Sequence, residues 1–236
     1  MNTLYTFGCS FTEGFNENHE LYQEYKVFKG GTFPKTWPEL LSEKLGFNLF
    51  NYGVGGTGNQ HIFTNFCKHV NQFKKGDIVI IGWTFMERFR MSNVNGTGWN
   101  HFGPSSKKET NIELISNDCL DMLFINRTLK PYYDEIYDYE KIIDKLSKEM
   151  GFEIYYWTII NELIYNQDKD ILNQKKYLLN KMIKDEYHNT FRVIFDNGGM
   201  RIFEETDGLV NDSHMGESGH KIQADLFYDH ILNTFP

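Results

Sequence analysis

Several features are scarce in this sequence, and each scarcity excludes a class of protein. There are 24 lysines and arginines against 32 aspartates and glutamates, which gives a formal net charge of −8. Without a basic stripe to neutralise phosphates, a nucleic-acid partner and an anionic membrane surface are both disfavoured. No apolar run approaches the ~18 residues that a membrane span needs. Residues 1–8 lack the basic segment and long apolar stretch of a signal peptide, so none is expected.

Cysteine is also scarce. Cys9, Cys67 and Cys119 are widely spaced and form no Cys-x-x-Cys pair. This pattern is typical of free thiols in the cytoplasm or another reducing compartment. The eight histidines are scattered and lack a zinc-ligand spacing, so we expect no metal and no other cofactor.

Apolar residues, by contrast, are plentiful enough for a sizeable core. They make up 40% of the 236 residues, and aromatic residues make up 16%. This composition fits a packed interior and excludes a disordered chain. The length fits one large α/β domain over residues 1–236, with no visible linker, repeat or low-complexity tract.

Strand and helix patterns alternate along the chain. Apolar periodicity predicts strands at residues 3–7, 48–52, 78–83, 152–159 and 191–195. It predicts helices at 37–46, 59–73, 109–150 (with a break near residues 130–131), 170–187 and 217–233. Residues 15–36 and 92–110 are predicted to be loop excursions. The alternation predicts a single-domain three-layer α/β/α sandwich, with a flavodoxin-like parallel sheet and helices on both faces.

Four segments fall at or near the ends of predicted strands, where open α/β sheets bind ligands. The first is residues 8–14, Gly-Cys-Ser-Phe-Thr-Glu-Gly, in which Ser10 follows the first strand. A serine in such a turn can present its hydroxyl at the sheet edge, and its backbone N–H can help to hold an oxyanion. Taken alone, Ser10 would more simply be a turn or N-cap residue.

The second segment is the glycine-rich turn at residues 51–59, whose backbone N–H groups can approach a ligand closely. It matches Gly-x-Gly-x-x-Gly. However, no Gly-Lys-Ser/Thr follows and no acidic residue closes a next strand, so nucleotide binding is disfavoured.

The third segment is residues 82–89. Thr84 follows a buried strand there, and its hydroxyl or Arg88 could face a pocket. Alternatively, Thr84 caps a following helix and Arg88 pairs with Glu87 in solvent.

The fourth segment, residues 211–220, precedes the last helix and contains Asp212 and His214. A carboxylate beside a histidine can orient the ring and stabilise the imidazolium, as a catalytic triad requires. His220 falls within the predicted helix and is interpreted as structural.

In this order, the four segments resemble the conserved blocks of the SGNH/GDSL hydrolase family. The resemblance implies that Ser10 is the nucleophile, that His214 is the base, and that Gly56 shares the oxyanion hole with Ser10. Two positions depart from the family pattern. Thr84 stands where the family usually offers an asparagine. Asn211, three residues before His214, takes the usual place of the aspartate.

Two candidates therefore remain for the residue that orients His214. If the orienting residue lies three positions before the histidine, as is usual in the family, it is Asn211. If the loop is shifted by one residue, it is Asp212. We favour Asp212, because a carboxylate stabilises the imidazolium better than an amide does. The candidate substrate contacts are Asn59, Trp83 and Arg88.

The resemblance implies a serine esterase or acylhydrolase that acts through an acyl-enzyme on a small-molecule or glycan ester. The polar and aromatic composition of the predicted loops favours a carbohydrate O-deacetylase. A cysteine nucleophile, Cys9, is disfavoured, because the residue before the serine normally faces inward along the strand. The alternative from another class is a non-catalytic protein that binds glycan or protein on the same scaffold.

Overall fold

The computed structural model describes residues 1–84, 88–92, 99–102, 130–158, 190–191 and 199–234. The strands are β1 Thr3–Gly8, β2 Asn48–Gly53, β3 Ile78–Trp83, β4 Phe89–Ser92, β5 Trp99–Phe102, β6 Glu153–Thr158 and β7 Thr190–Phe191. Five of them form one sheet in the order β2-β1-β3-β6-β7, and all neighbours are parallel. Numbered within the sheet, this is the 2-1-3-4-5 order of the flavodoxin-like fold, as predicted.

Helices cover both faces of this sheet. They are α1 Ser10–Glu13, α2 Glu20–Phe28, α3 Trp37–Leu45, α4 Asn59–His69, α5 Lys130–Met150, α6 Ile202–Glu205 and α7 Glu217–Thr234, and a 3-10 turn, Val70–Gln72, follows α4. One core cluster joins the sheet to α4 and α5, and a second joins it to α3 and α7. The predicted three-layer α/β/α arrangement is therefore confirmed.

Strand β3 shows how the sequence produces the two cores. All six of its residues are buried, as the continuous apolar run predicts. Because side chains alternate along a strand, Val79 and Ile81 pack against α4 and α5, whereas Ile78 and Ile80 pack against α3 and α7.

The register of the sheet brings the candidate segments to one edge. Gly8 at the end of β1 pairs with Gly53 at the end of β2, and Phe7 pairs with Ile81 of β3. The strands are parallel, so the chain leaves all three at the same edge. The segments that follow them must start side by side.

Helix α3 forms where its capping residues predict it. The Glu39 carboxylate accepts hydrogen bonds from the backbone N–H and the hydroxyl of Thr36, at 2.7 and 2.8 Å. Pro38 lies in the first turn, and Gly46 ends the helix with φ 67°.

Two predicted loops contain regular structure. Residues 15–36 include α2, whose buried Tyr22 and Tyr25 pack with Ile202 and Val210 from the other end of the chain. Residues 92–110 include β5, which pairs antiparallel with β4. The loop prediction for residues 15–36 is corrected, because the partners that stabilise α2 lie far away in sequence. For residues 92–110 it is corrected at β5, which pairs with its neighbour in sequence, and residues 93–98 and 103–110 lie outside the described residues. The short helix α6 was not predicted at all.

Some predicted elements lie outside the described residues: the helix over 170–187, the first part of the helix over 109–150, and residues 192–195 of the last strand. Among the helices described, none is long and apolar enough to cross a membrane.

Candidate active site

Ser10 lies on a tight turn at the end of β1, which we call the nucleophile turn (residues 8–14) after the role predicted for Ser10. The backbone N–H groups of Thr12 and Glu13 donate to the carbonyl of Cys9 at 2.8 and 2.9 Å. At Gly8 a Cβ atom would lie only 2.1 Å from Thr12 Oγ1, so only glycine fits there. The chain therefore folds back tightly and presents Ser10 at the sheet edge.

Trp37 joins the nucleophile turn to the last helix. Its buried indole N–H donates to the carbonyl of Phe11 at 2.9 Å, and its backbone N–H donates to His220 Nδ1 at 3.2 Å. Burial lowers the pKa of His220 to about 3, so the ring is neutral and Nδ1 can accept. His220 thus has the structural place predicted for it.

The His214 ring lies between Ser10 and Asp212, in a segment that we call the histidine loop (residues 210–216). His214 Nε2 is 2.8 Å from Ser10 Oγ, and His214 Nδ1 is 2.6 Å from Asp212 Oδ1. The same carboxylate oxygen accepts the backbone N–H of His214 at 2.7 Å. Asn211 is exposed, and it is Asp212 that contacts the ring, so the loop adopts the shifted register.

The environment of Asp212 keeps its carboxylate ionised. The residue is only 5% exposed, and burial alone would raise its pKa. The hydrogen bonds that Asp212 accepts from the ring and the backbone N–H of His214 outweigh burial, and the pKa of Asp212 is lowered. An ionised Asp212 holds the ring proton on Nδ1, which leaves Nε2 free to accept the hydroxyl proton of Ser10.

Helix α6 holds the backbone of the histidine loop. The N–H groups of Ile202 and Phe203 donate to the carbonyls of His214 and Asp212, at 2.9 and 3.0 Å. These donors belong to the first turn of α6, where N–H groups lack partners within the helix. The short helix that the sequence did not reveal therefore fixes the backbone at Asp212 and at His214.

Glu205, also on α6, anchors the helix that follows the histidine loop. Its carboxylate accepts the backbone N–H and the hydroxyl of Ser218, each at 2.7 Å, at the start of α7. It also accepts the hydroxyl of Tyr25 at 2.6 Å, and Lys29 Nζ lies 3.3 Å away. Burial would raise the pKa of Glu205, but these donors outweigh it and the pKa is lowered.

Two aromatic rings flank the imidazole of His214. The centroid of the Phe11 ring is 4.9 Å from that of His214, and the Tyr22 ring meets it edge-on at 5.8 Å. Burial, together with the charge of Asp212, raises the pKa of the Tyr22 hydroxyl, so it stays neutral. Tyr22 was missed because it falls within a predicted loop, and its partner lies 192 residues further along the chain.

The turn after β2, the glycine loop (residues 53–58), packs directly on the nucleophile turn. The N–H of Val54 donates to the carbonyl of Gly8 at 2.9 Å. At Gly55 a Cβ atom would lie 3.7 Å from Ser10 Cβ. Gly56 follows with φ 72°, in the left-handed region that favours glycine. The structure thus places the predicted oxyanion glycine on the loop beside Ser10.

Thr84, at the end of β3, is buried and linked to two other candidate residues. Its backbone N–H donates to Asn59 Oδ1 at 2.8 Å, and Asn59 Nδ2 donates to its carbonyl at 3.1 Å. Arg88 Nη1 donates to the Thr84 hydroxyl at 3.2 Å. Asn59 is only 6% exposed, so its prediction as a substrate contact is corrected: its amide fixes the end of β3.

The prediction that Trp83 contacts substrate is also corrected. Its side chain is 1% exposed and belongs to the core beneath α5. The indole N–H donates to Glu140 Oε1 at 2.8 Å, and burial raises the pKa of that carboxyl to about 8. The strand alternation that sends Val79 and Ile81 towards α5 sends Trp83 there too.

Cys9 faces the interior, as predicted. It is 2% exposed and lies in the core cluster with Trp37 and Met215. Within the described part of the chain, no three His, Cys, Asp or Glu side chains are grouped closely enough to hold a metal ion.

Comparison with known proteins identifies the fold. No family model and no curated protein matches the sequence. Among the solved structures that match, three cover nearly the whole chain with a TM-score of 0.52 each. One is a protein assigned to the lipolytic G-D-S-L family from Desulfitobacterium hafniense, at 13% identity, covering 97% of this chain and 99% of that one.

The other two are named as enzymes. An alpha/beta hydrolase from the metagenome of Lake Arreo, Spain, is 14% identical and covers 97% of this chain and 94% of its own. A mutant of an acetyl-xylooligosaccharide esterase from Geobacillus is 16% identical, with coverage of 98% and 94%. At these identities the likeness shows a shared fold, the one that the sequence resemblance implies.

Proposed function

We propose that this chain is a serine hydrolase that cleaves an ester through an acyl-enzyme on Ser10. The observation that carries the proposal is the pair of hydrogen bonds from Ser10 Oγ to His214 Nε2 and from His214 Nδ1 to Asp212 Oδ1. A nucleophile, a base and a carboxylate that orients the base are thereby within reach of one another.

The reaction begins when Ser10 Oγ attacks the ester carbonyl and its proton passes to His214 Nε2. Asp212 stabilises the imidazolium that results. His214 then donates the proton to the departing alcohol oxygen as the carbon–oxygen bond of the ester breaks. Water enters, gives a proton to His214 and attacks the acyl carbon, which releases the acid and returns the proton to Ser10.

Three donors are proposed to stabilise the oxyanion: the backbone N–H groups of Ser10 and Gly56, and the hydroxyl of Thr84. The oxygen of Thr84 accepts a hydrogen bond from Arg88, and no residue that the structure describes accepts the hydrogen of this hydroxyl. Losing one such donor typically costs ~3 kcal/mol of transition-state stabilisation.

We further propose an acetylated carbohydrate as the substrate class. Two features support it: the polar and aromatic composition of residues 15–36, from which Tyr22 contacts the His214 ring, and a similar fold in an acetyl-xylooligosaccharide esterase. Arg88, half-buried beside Thr84, is the remaining candidate substrate contact.

Replacement of the nucleophile tests the proposal. Ser10→Ala should abolish p-nitrophenyl acetate hydrolysis and leave the circular dichroism spectrum unchanged, because the hydroxyl is lost without disturbing the core. A fluorophosphonate probe should label the wild-type protein at Ser10. As a control, Cys9→Ala should still be labelled. Turnover that persists in Ser10→Ala would rule out this mechanism, and a wild-type protein that is not labelled would favour the non-catalytic binder.

A further inference from the structure

Glu13 is a charged residue of the nucleophile turn that the mechanism above does not use. It ends α1, three residues after Ser10. Its Oε2 accepts the backbone N–H of Gly55 at 2.7 Å. A Cβ atom on Gly55 would lie 2.6 Å from this oxygen and 3.7 Å from Ser10 Cβ. Gly55 is therefore in contact with both the nucleophile and the Glu13 carboxylate.

This bond extends a series of contacts that fastens the glycine loop to the nucleophile turn. The Asn51 side chain donates to the carbonyls of Thr12 and Glu13, at 2.8 and 3.2 Å, and Val54 N–H donates to Gly8. At Gly55 and Gly56 the loop has no side chains to pack, and glycine is the residue with the most conformational freedom. The Glu13 carboxylate restrains the loop at this point.

The hydrogen bond between Gly55 N–H and Glu13 also limits which backbone N–H groups of the glycine loop can bind the oxyanion. The N–H of Gly55 donates to Glu13 and is therefore not available to an oxyanion, and the N–H that follows it is that of Gly56, the donor proposed above. The position of that donor depends on the residue before it, which Glu13 holds.

The carboxylate places a negative charge close to Ser10, in a protein whose net charge is −8. At the far end of the glycine loop, the backbone of Arg88 lies against Gly58, and its guanidinium bonds to Thr84. An ester with a charged acyl group would therefore meet opposite charges at the two ends of the loop. In the acyl-enzyme the acyl group is bonded to Ser10, so it lies at the end of the loop near Glu13.

We propose that Glu13 is a positioning residue that holds the glycine loop so that Gly56 N–H faces the oxyanion, and that its charge restricts the site to esters with an uncharged acyl group. This inference rests on the proposed ester hydrolysis. It adds a residue and a substrate restriction that the Ser10–His214–Asp212 geometry does not contain.

Two substitutions separate the two roles. Glu13→Gln keeps an oxygen that can accept the Gly55 N–H but removes the charge. It should change kcat/KM for p-nitrophenyl acetate by less than about threefold and raise kcat/KM for p-nitrophenyl hydrogen succinate about tenfold, as the loss of one nearby like charge implies. Glu13→Ala removes the bond as well, and kcat for the acetate should fall about tenfold or more with KM little changed.

The matched control is Glu24→Gln, which removes the same charge from an exposed position on α2. It should leave the succinate-to-acetate ratio and both kcat values unchanged. Circular dichroism of all three variants checks that the fold is kept.

The outcomes are distinguishable. An unchanged succinate-to-acetate ratio in Glu13→Gln overturns the charge restriction, and an undiminished kcat in Glu13→Ala overturns the positioning role. A wild-type protein that prefers the succinate ester also overturns the restriction, since Arg88 would then dominate. A wild-type protein with no turnover and no labelled Ser10 overturns ester hydrolysis itself, and the Glu13 proposal with it.

Discussion

The nucleophile turn and the histidine loop meet at one hydrogen bond but are held in place by different means. The nucleophile turn is fixed by the close approach of the Thr12 side chain to Gly8 and by a neutral hydrogen bond from the Trp37 indole. In the histidine loop the Asp212 carboxylate accepts two hydrogen bonds from His214, and the Glu205 carboxylate anchors α7, the helix that follows this loop. Neutral bonds thus hold both halves of the site, and the half around His214 depends in addition on two carboxylates, whereas Glu13 of the nucleophile turn bonds outward to the glycine loop.

This difference has a consequence for pH. Steric contacts and neutral hydrogen bonds do not titrate between pH 3 and 9, whereas the pKa values of Asp212 and Glu205 are both lowered by their donors. A group with a lowered folded-state pKa stabilises the protein above its unfolded pKa. That stabilisation is lost as pH falls through the folded value. The histidine loop should therefore be the first part of the site to lose support in acid.

The strongest test of the charged half is Asp212→Asn. An amide cannot stabilise the imidazolium, and it does not hold the ring proton on Nδ1, so kcat for p-nitrophenyl acetate should fall by roughly 10³–10⁴. The control is Asn211→Ala at the neighbouring exposed position, which should keep wild-type activity. If instead Asn211→Ala were inactive and Asp212→Asn active, Asn211 and not Asp212 would be the residue that orients His214 in solution.

A smaller effect is expected for Glu205→Gln, which acts on stability. The variant should lose about 1–3 kcal/mol of unfolding free energy at pH 7, because hydrogen bonds to an ionised, buried acceptor are replaced by weaker ones. Urea unfolding at several pH values measures this. The gap between wild type and variant should shrink as pH falls below the ordinary glutamate range, where the wild-type carboxylate becomes protonated too.

Glu217→Gln provides the matched control for Glu205. Glu217 pairs with the same lysine, Lys29, but its side chain is 57% exposed. A surface pair of this kind contributes at most about 1 kcal/mol, so its loss should be small at every pH. A Glu205→Gln penalty that stays constant from pH 7 to pH 3 would show that the charge of Glu205 does not stabilise this half of the site.

The smallest effect is expected on the nucleophile turn. Thr12 Oγ1 is buried and has no hydrogen-bond partner among the residues described. Thr12→Val, which has nearly the same shape, should change the unfolding free energy by less than about 1 kcal/mol, and independently of pH. The buried hydroxyl of Thr57, by contrast, donates to the Val54 carbonyl at 2.8 Å. Thr57→Val should therefore cost about 1 kcal/mol, and equal losses in the two variants would show that the Thr12 hydroxyl is bonded.

The sequence predicted those features that depend on short segments. Apolar runs marked the strands that carry Ser10 and the glycine loop, and capping residues marked α3. The order of the segments then predicted which polar residues would meet. The structure brings Ser10, Asp212 and His214 together as expected, while their catalytic roles stay predictions.

What the sequence could not predict depends on partners far away in the chain. The side of the sheet that Trp83 faces is ambiguous in a continuous apolar run, because both faces are buried. Helix α2 has its apolar positions at Tyr22 and Tyr25, which find their partners on α6. The register of the histidine loop depends on hydrogen bonds from Ile202 and Phe203, and no local pattern encodes those.

The hydrogen bond between Ser10 and His214 joins residues that are 204 positions apart. Closing a flexible loop of that length costs roughly 5 kcal/mol of chain entropy, so the contact cannot form before the core has assembled around it. During synthesis, a chain with a folded first strand and an exposed serine would still lack its base. Hydrolytic activity should therefore report completed folding: it should be the last property recovered on refolding and the first lost when α7 detaches.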